Sequence, residues 1–304
     1  MAAEDSRAGQ EKRLSVVTGQ HERPRVPEHV LQAFQIRPAD AEPLGLAWDY
    51  GWRYNNVVLS PVAQSDQGAW SAKVREKLQV PSMRVVRPVR AADGRFVNSG
   101  WRASQFVSGE LELRADELIV AALRFDEACA DIEVPDFLFN APGDVFAAAQ
   151  QSAWKADADT PQQIVEMMGL QPKHPRQTLG VELIPRIARL CRPIEASSQI
   201  CHSDFSGTVL FDRNQAPVLV DIVPVVRCAG YSAAVVAVDA LIAGAVDLGV
   251  LQRFAGVAHF EQLVLRALLY RLIVHCAHPL ASIELDSNIR SITDSVLSNI
   301  HVTL

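Results

Sequence analysis

Two aspartates flanking a short hairpin carry the clearest chemical signal in the chain. The segment Ile200-Cys201-His202-Ser203-Asp204-Phe205-Ser206-Gly207-Thr208-Val209-Leu210-Phe211 sets a His-x-Asp loop before an apolar strand. Val218-Leu219-Val220-Asp221 ends a second strand on another carboxylate, and residues 212–217 supply the turn between them. Phosphoryl transfer needs one carboxylate to orient and deprotonate a hydroxyl and another to hold the magnesium that bridges the nucleotide phosphates. Asp204 precedes the first strand and Asp221 ends the second. The alternative for both is turn capping at strand ends. His202 is expected to pack beneath the loop and bond a backbone carbonyl rather than to move a proton.

The elements that must position these residues divide the chain in two. Pro27 opens a short helix with Val30, Leu31 and Phe34 on one face. Residues 52–59 predict a hairpin turning at Asn55-Asn56. A second hairpin is expected from Arg84–Val89 and Arg95–Val97 around Asp93-Gly94, and 101–107 reads as another strand. Between them Trp70, Val74 and Leu78 recur every four residues, the spacing of an inserted helix. Beyond Gly109 the periodicity becomes helical, over 115–130, 161–169, 180–191, 231–250 and 261–275. The expected organisation is a disordered leader over 1–25, a β lobe over 26–109 and an α lobe over 110–304 that carries the His-x-Asp loop. The fold class is α+β, bilobal and protein-kinase-like, with a small antiparallel N-terminal lobe and a larger, mostly α C-terminal lobe. Proteins of this plan bind nucleotide between the lobes.

Composition narrows the partners. With 29 basic and 35 acidic residues the formal charge is -6, which lacks the basic field of a general nucleic-acid or membrane binder. The apolar run 233–250 has the length of a membrane span, but Asp239 and Asp247 would each cost about 2.5–3.5 kcal/mol at a bilayer centre, so a buried helix fits better. The five scattered cysteines form no C-x-x-C pair and suggest a reducing compartment. No apolar segment in the first 25 residues resembles a secretory signal, and a cytoplasmic location is expected. The spacing of His275, Cys276 and His278 is short enough for a soft metal, but no further ligands lie nearby. Nothing in the sequence indicates an oligomeric state.

The text around His202-Ser-Asp204 and Val220-Asp221 resembles the aminoglycoside phosphotransferase and choline kinase group of kinase-like enzymes, whose loop reads H-G-D and whose strand ends in I-D. More narrowly it is similar to an uncharacterised actinobacterial branch with the loop H-G-D-L-x-G-N-V-L-F. Pro27-Glu-His-Val-Leu31, Val57-Val-Leu-Ser60-Pro61, Val86 to Gly94 and Asp221 to Leu241 extend the likeness over about residues 27–300. The resemblance implies ATP and magnesium as cofactors if the protein is active, with a nucleotide and a small-molecule ligand as partners. It makes Asp204 the base and assigns Asp221 and Thr208 to the metal. The nucleotide falls to Gly45, Gly51, Ser60, Trp101 and Phe106, the last two on a strand leading into the hinge that meets adenine. Asp239 would hydrogen-bond amides of the catalytic loop.

Several departures from the family pattern oppose catalysis. Thr208 replaces the asparagine that is the second metal ligand, and Ser60 replaces the strand lysine that reaches the phosphates. Trp48, Asp49 and Tyr50 add bulk and negative charge to the turn between Gly45 and Gly51. Glu76 remains on the inserted helix without its lysine, and Lys73 and Arg75 are the candidates to replace that cation. Arg227 is expected to pair with a loop carboxylate, with a ligand phosphate as the alternative. Each lost electrostatic contact commonly costs about 10²–10³ in rate. The expectation is a degenerate nucleotide site with weak or no phosphotransferase activity, pseudokinase-like. The alternatives are an active ATP-dependent small-molecule phosphotransferase and an interaction module whose cleft Trp48 and Tyr50 close. The stretches 137–154 and 261–278, where an acceptor would be gripped, hold no acidic cluster of the kind that marks an aminoglycoside site.

Overall fold

The computed structural model describes residues 23–303 apart from 38–39, 140–143, 157–160 and 172–173, with backbone alone at 300–303. Most of the expected leader therefore lies outside the described residues. Arg23 and Pro24 are tied to the N-terminal sheet: Arg23 donates to the Tyr50 and Leu44 carbonyls, and the Trp52 indole donates to the Pro24 carbonyl.

The N-terminal sheet is antiparallel and built on alternation. Strands β1 (Glu42–Pro43), β2 (Trp52–Tyr54) and β3 (Val57–Pro61) run side by side, and the β2–β3 hairpin turns at Asn55, which takes the left-handed φ of 54° that asparagine tolerates. The inserted helix α2 (Ser65–Arg75) comes next, after the short entry helix α1 (Glu28–Ala33). After β4 (Arg84–Val85), the strands β5 (Pro88–Val89), β6 (Val97–Asn98) and β7 (Trp101–Gln105) complete the N-terminal sheet. Leu59 and its partner Ala103 belong to the cluster packed by Val30, Leu31 and Phe34 of the entry segment, together with Trp101. Val58 and Ser60, one residue out of phase, lie on the opposite face with their partners Ser104 and Arg102.

The hairpin expected between Arg84–Val89 and Arg95–Val97 does not form. β5 and β6 both pair with β7 instead of with each other, and β4 leaves the lobe to run parallel to a strand of the other one. Pro88 lacks a donor N–H and sits at the sheet edge, where such a residue is tolerated.

The second sheet belongs to the C-terminal lobe. Strand β8 (Glu110–Leu111) pairs with β10 (Val209–Phe211), β10 pairs with β11 (Val218–Leu219) in the expected antiparallel hairpin, and β11 carries β4 on its far side. Strands β9 (Gln199–His202) and β12 (Pro224–Arg227) form a two-stranded ribbon beside it. The helices are α3 (Ala115–Ala128), α4 (Val145–Trp154), α5 (Pro161–Met167), α6 (Pro175–Ala188), α7 (Tyr231–Ile242), α8 (Gly249–Arg253), α9 (Phe260–Ala277) and α10 (Asp286–Thr303). No helix among the described residues is long and apolar enough to cross a membrane.

Two helical expectations need correction, and two helices were not expected. The run 231–250 is not one helix: Gly244 adopts φ 68°, Ala245 bonds back to the Ala240 carbonyl and Gly244 to that of Leu241, and the chain restarts at α8. The helix expected from 180 begins at Pro175, a residue suited to the first turn. The sequence reading did not anticipate α4 and α10; the former is capped by Asp144, whose carboxylate accepts from the Ala147 N–H.

Phe125 of α3 is fully buried beneath the His-x-Asp loop, its ring 5.6 Å from His202 and 5.7 Å from Phe205. Phe125→Ala is expected to lower the unfolding free energy by about 3–5 kcal/mol; a loss under 1 kcal/mol in urea unfolding would show that the loop does not rest on this ring.

Candidate functional site

The loop after β9 holds its shape through its own polar atoms. His202 is fully buried and stands edge-on to Phe125 and Phe205. Its Nδ1 accepts from the Asp204 N–H at 3.0 Å, and its Nε2 lies 3.2 Å from the Asp221 carbonyl. Burial lowers its pKa, so the ring is neutral and structural, as expected from the sequence. Asp204 is the more open carboxylate, with a side chain 39% exposed and an oxygen 3.3 Å from Arg271 Nη2. Gly207 makes room for it: a Cβ there would come within 2.6 Å of the Asp204 carboxylate.

Thr208 is turned inward. Its hydroxyl lies 3.1 Å from the Asp204 carbonyl, 3.2 Å from that of Phe205 and 3.2 Å from His202 Nε2. A hydroxyl engaged this way donates to loop carbonyls and, at 7% exposure for the residue, knits the loop together from inside.

Asp221 is in the cleft but its carboxylate is fully engaged. One oxygen accepts from the Ser71 hydroxyl at 2.6 Å and lies 3.6 Å from Arg75 Nε; the other meets Arg102 Nη1 at 2.6 Å. Burial by itself would raise this carboxyl, but Arg102 and Arg75 outweigh it and hold the group below the ordinary aspartate range. A magnesium ion does not fit this environment. Both oxygens already face guanidinium groups, which would repel a divalent cation, and the second expected ligand points away.

Arg102 comes from β7 as the register partner of Ser60 on β3, the position at which the resemblance leads one to expect a lysine. It is 7% exposed and bonds two carboxylates: Asp221 through Nη1 and Asp49 through Nη2 at 2.5 Å. Of the two cations proposed from the sequence, Lys73 is exposed on the outer face of α2. Arg75 is fully buried and donates to the Val86 carbonyl and to the Ser71 and Ser104 hydroxyls. Glu76 turns outward to a bidentate pair with Arg90.

The turn between Gly45 and Gly51 has collapsed onto β3. Trp48, Asp49, Tyr50 and Gly51 all donate their N–H groups to carbonyls within the turn, and Arg23 clamps it from outside. Amides paired in this way have their donors committed within the turn. Ser60 donates its hydroxyl to the Trp48 carbonyl at 2.8 Å. Gly51 is required for this approach, since a Cβ there would lie 2.3 Å from the Leu59 carbonyl. Trp48 is buried in one apolar cluster with Val58 and Val86 from the N-terminal half and Leu111, Leu210, Val218 and Val220 from the C-terminal half. Phe106 stacks on it with ring centroids 6.1 Å apart.

Of the expected residues, Thr208 meets the Asp204 carbonyl within the loop, Ser60 and Phe106 meet Trp48 in the turn between Gly45 and Gly51, and Asp221 is linked to that turn through Arg102 and Asp49. Trp101 does not reach it, because its strand phase turns it into the cluster under α1. Asp239 bonds no loop amide; it forms a bidentate pair with Arg271, both bonds 2.7 Å. Arg227 meets neither carboxylate nor cleft, donating to the Val226 and Gln150 carbonyls over the face of Trp154. His275 bonds Asp286, His278 packs on Phe146, and no metal-holding cluster occurs among the described residues. Sequence reasoning missed Arg102, Ser71 and Arg271. The last had a visible signal, a cation inside the apolar run of α9.

No known family model matches the sequence, and no curated protein matches it. Solved structures do match the fold. An aminoglycoside phosphotransferase from Alicyclobacillus acidocaldarius superposes over 93% of this chain and 96% of its own, with 14% identity and a TM-score of 0.56. A thermostable APH(4)-Ia variant in a ternary complex with ADP and hygromycin B covers 88% and 97% at 11% identity and a TM-score of 0.51. Spectinomycin phosphotransferase APH(9)-Ia, in complex with ADP and spectinomycin, covers 88% and 95% at 10% identity and a TM-score of 0.50. The chain has the kinase-like fold of the aminoglycoside phosphotransferases.

One outcome follows from these charges. Asp221→Ala leaves Arg75 and Arg102 buried with their principal partner removed and is expected to cost about 3–5 kcal/mol in urea unfolding; an unchanged midpoint would mean that the carboxylate does not anchor them.

Proposed function

We propose that this chain is an aminoglycoside phosphotransferase-like protein with a degenerate nucleotide site and weak or no phosphotransferase activity, acting by binding through its interlobe cleft. The observation that carries this reading is the double occupancy of Asp221 by Arg102 on one oxygen and by Ser71 and Arg75 on the other. Phosphoryl transfer depends almost entirely on positioning and electrostatic stabilisation, with the metal as the central charge. A cleft that commits its metal carboxylate to its own guanidiniums lacks that centre. The inward Thr208 hydroxyl and the internally satisfied amides of 48–51 support the same reading.

Asp204 keeps an exposed carboxylate and so retains the capacity to meet a ligand hydroxyl. The nucleotides and antibiotics held by APH(4)-Ia and APH(9)-Ia make a nucleotide-like compound and a small polar molecule the ligand classes to test. In this proposal residues 26–109 and 110–304 are the two lobes.

Installing the family residues tests the reading. Ser60→Lys with Thr208→Asn is expected to leave ATP hydrolysis in magnesium unchanged, because Arg102 still occupies Asp221. Magnesium-dependent ATP turnover in the unmodified chain, abolished by Asp204→Ala, would establish the active phosphotransferase instead.

A further inference from the structure

We propose that Trp48 and Asp49 act as an internal ligand, and that the site they fill binds an aromatic ring carrying an anionic group without any divalent metal. The inference rests on the reading above that the cleft is not a working magnesium site. Two adjacent residues occupy two chemically different subsites. Trp48 is buried in an apolar cluster drawn from both halves of the chain and stacks on Phe106, a slot suited to a flat ring. The neighbouring carboxylate sits on Arg102, the position of an anion next to that ring.

The site beneath the pair is charged to receive an anion. With Asp49 in place, Arg75 and Arg102 balance Asp49 and Asp221. With Asp49 displaced, two guanidiniums face one carboxylate. Arg75 Nη2 is also buried and without a hydrogen-bond partner, so a donor in this cluster remains unused. Protein cations thus supply the positive charge that magnesium brings in a working phosphotransferase, and a nucleoside phosphate can be held by a guanidinium alone.

Beyond its internal hydrogen bonds, the turn that carries the pair is held down by Ser60 and Arg102 over a strained backbone. Asp49 and Tyr50 are consecutive non-glycine residues in the left-handed region, with φ of 51° and 54°. A ligand that takes over the slot and the Arg102 contact removes what offsets that strain. An external ligand competes with a covalently attached one, so its apparent affinity falls by the fraction of molecules that are open.

The experiment measures ADP binding by calorimetry at pH 7.5 in EDTA and, separately, in magnesium, on the full chain and on Trp48→Ala/Asp49→Asn. Asparagine keeps the left-handed position tolerable while removing the charge. The double variant is expected to bind ADP at least about tenfold more tightly than the unmodified chain. The gain should be equal in EDTA and in magnesium, with adenosine, which lacks the anion, binding more weakly than ADP. Circular dichroism establishes that the variant is folded. Asp49→Asn alone, which leaves the indole packed, provides the second reading and is expected to show a smaller gain in the same direction. Folded variants that bind ADP no better than the unmodified chain in EDTA would overturn this inference and leave the proposed function standing. Magnesium-dependent ADP binding in the unmodified chain, lost in Asp221→Asn, would overturn both.

Discussion

A single guanidinium, that of Arg102, joins three parts of the molecule that would otherwise be independent. It rises from the central strand of the N-terminal sheet, pairs with Asp221 at the end of a C-terminal strand, and pairs again with Asp49 in the turn above. A charge this deeply buried must be matched, since an uncompensated ion in the interior costs several kcal/mol. The consequence is geometric. Asp221 is drawn toward the upper lobe, Ser71 and Arg75 close around its other oxygen, and the turn descends until its carboxylate reaches the second nitrogen.

A working phosphoryl-transfer cleft uses the same kinds of group differently. There the acids hold metal, the metal and a lysine hold phosphate, and loop amides complete the cradle. In this chain Ser60 uses its hydroxyl to fasten the Trp48 carbonyl, the loop amides serve the loop, and the acids serve arginines. The aspartate of the His-x-Asp loop is the exception. Asp204 is restrained from one side by Arg271, which is itself fixed by Asp239 in α7, and its carboxylate stays accessible.

Local patterns revealed much of this in advance. The alternation around Val209–Phe211 and Val218–Leu219 and the Asn55-Asn56 turn identified hairpins correctly, because those pairings join neighbours in sequence and their turn chemistry is explicit. The hairpin expected across Asp93-Gly94 failed because both arms found a better partner in β7, a choice made by tertiary register. The same limit hid Arg102. Which face of a strand an arginine occupies, and which serine it opposes, depends on pairing that the sequence does not display. Trp101 was misplaced for the same reason, by one step of strand phase. Asp239 was recognised as structural, yet its partner lies on another helix and only packing brings them together. The long apolar run from 231 concealed its break, since a lone glycine inside such a run reads equally well as helix or as terminus.

The strand pairing between β4 and β11 constrains motion across the cleft. Arg84 and Val86, from the segment that follows α2, donate backbone hydrogen bonds to the Pro217 and Leu219 carbonyls of the opposite lobe. Two lobes joined by connecting chain alone can swing as rigid bodies, but here a hinge rotation would have to tear a sheet along its ladder. The compliant element is therefore the turn over 45–51, attached by side-chain contacts and a few hydrogen bonds, which can lift while the sheets beneath it stay in register. Access to the interior of this protein is a matter of a flap over a fixed frame, and the frame resists the clamshell opening that the bilobal outline suggests.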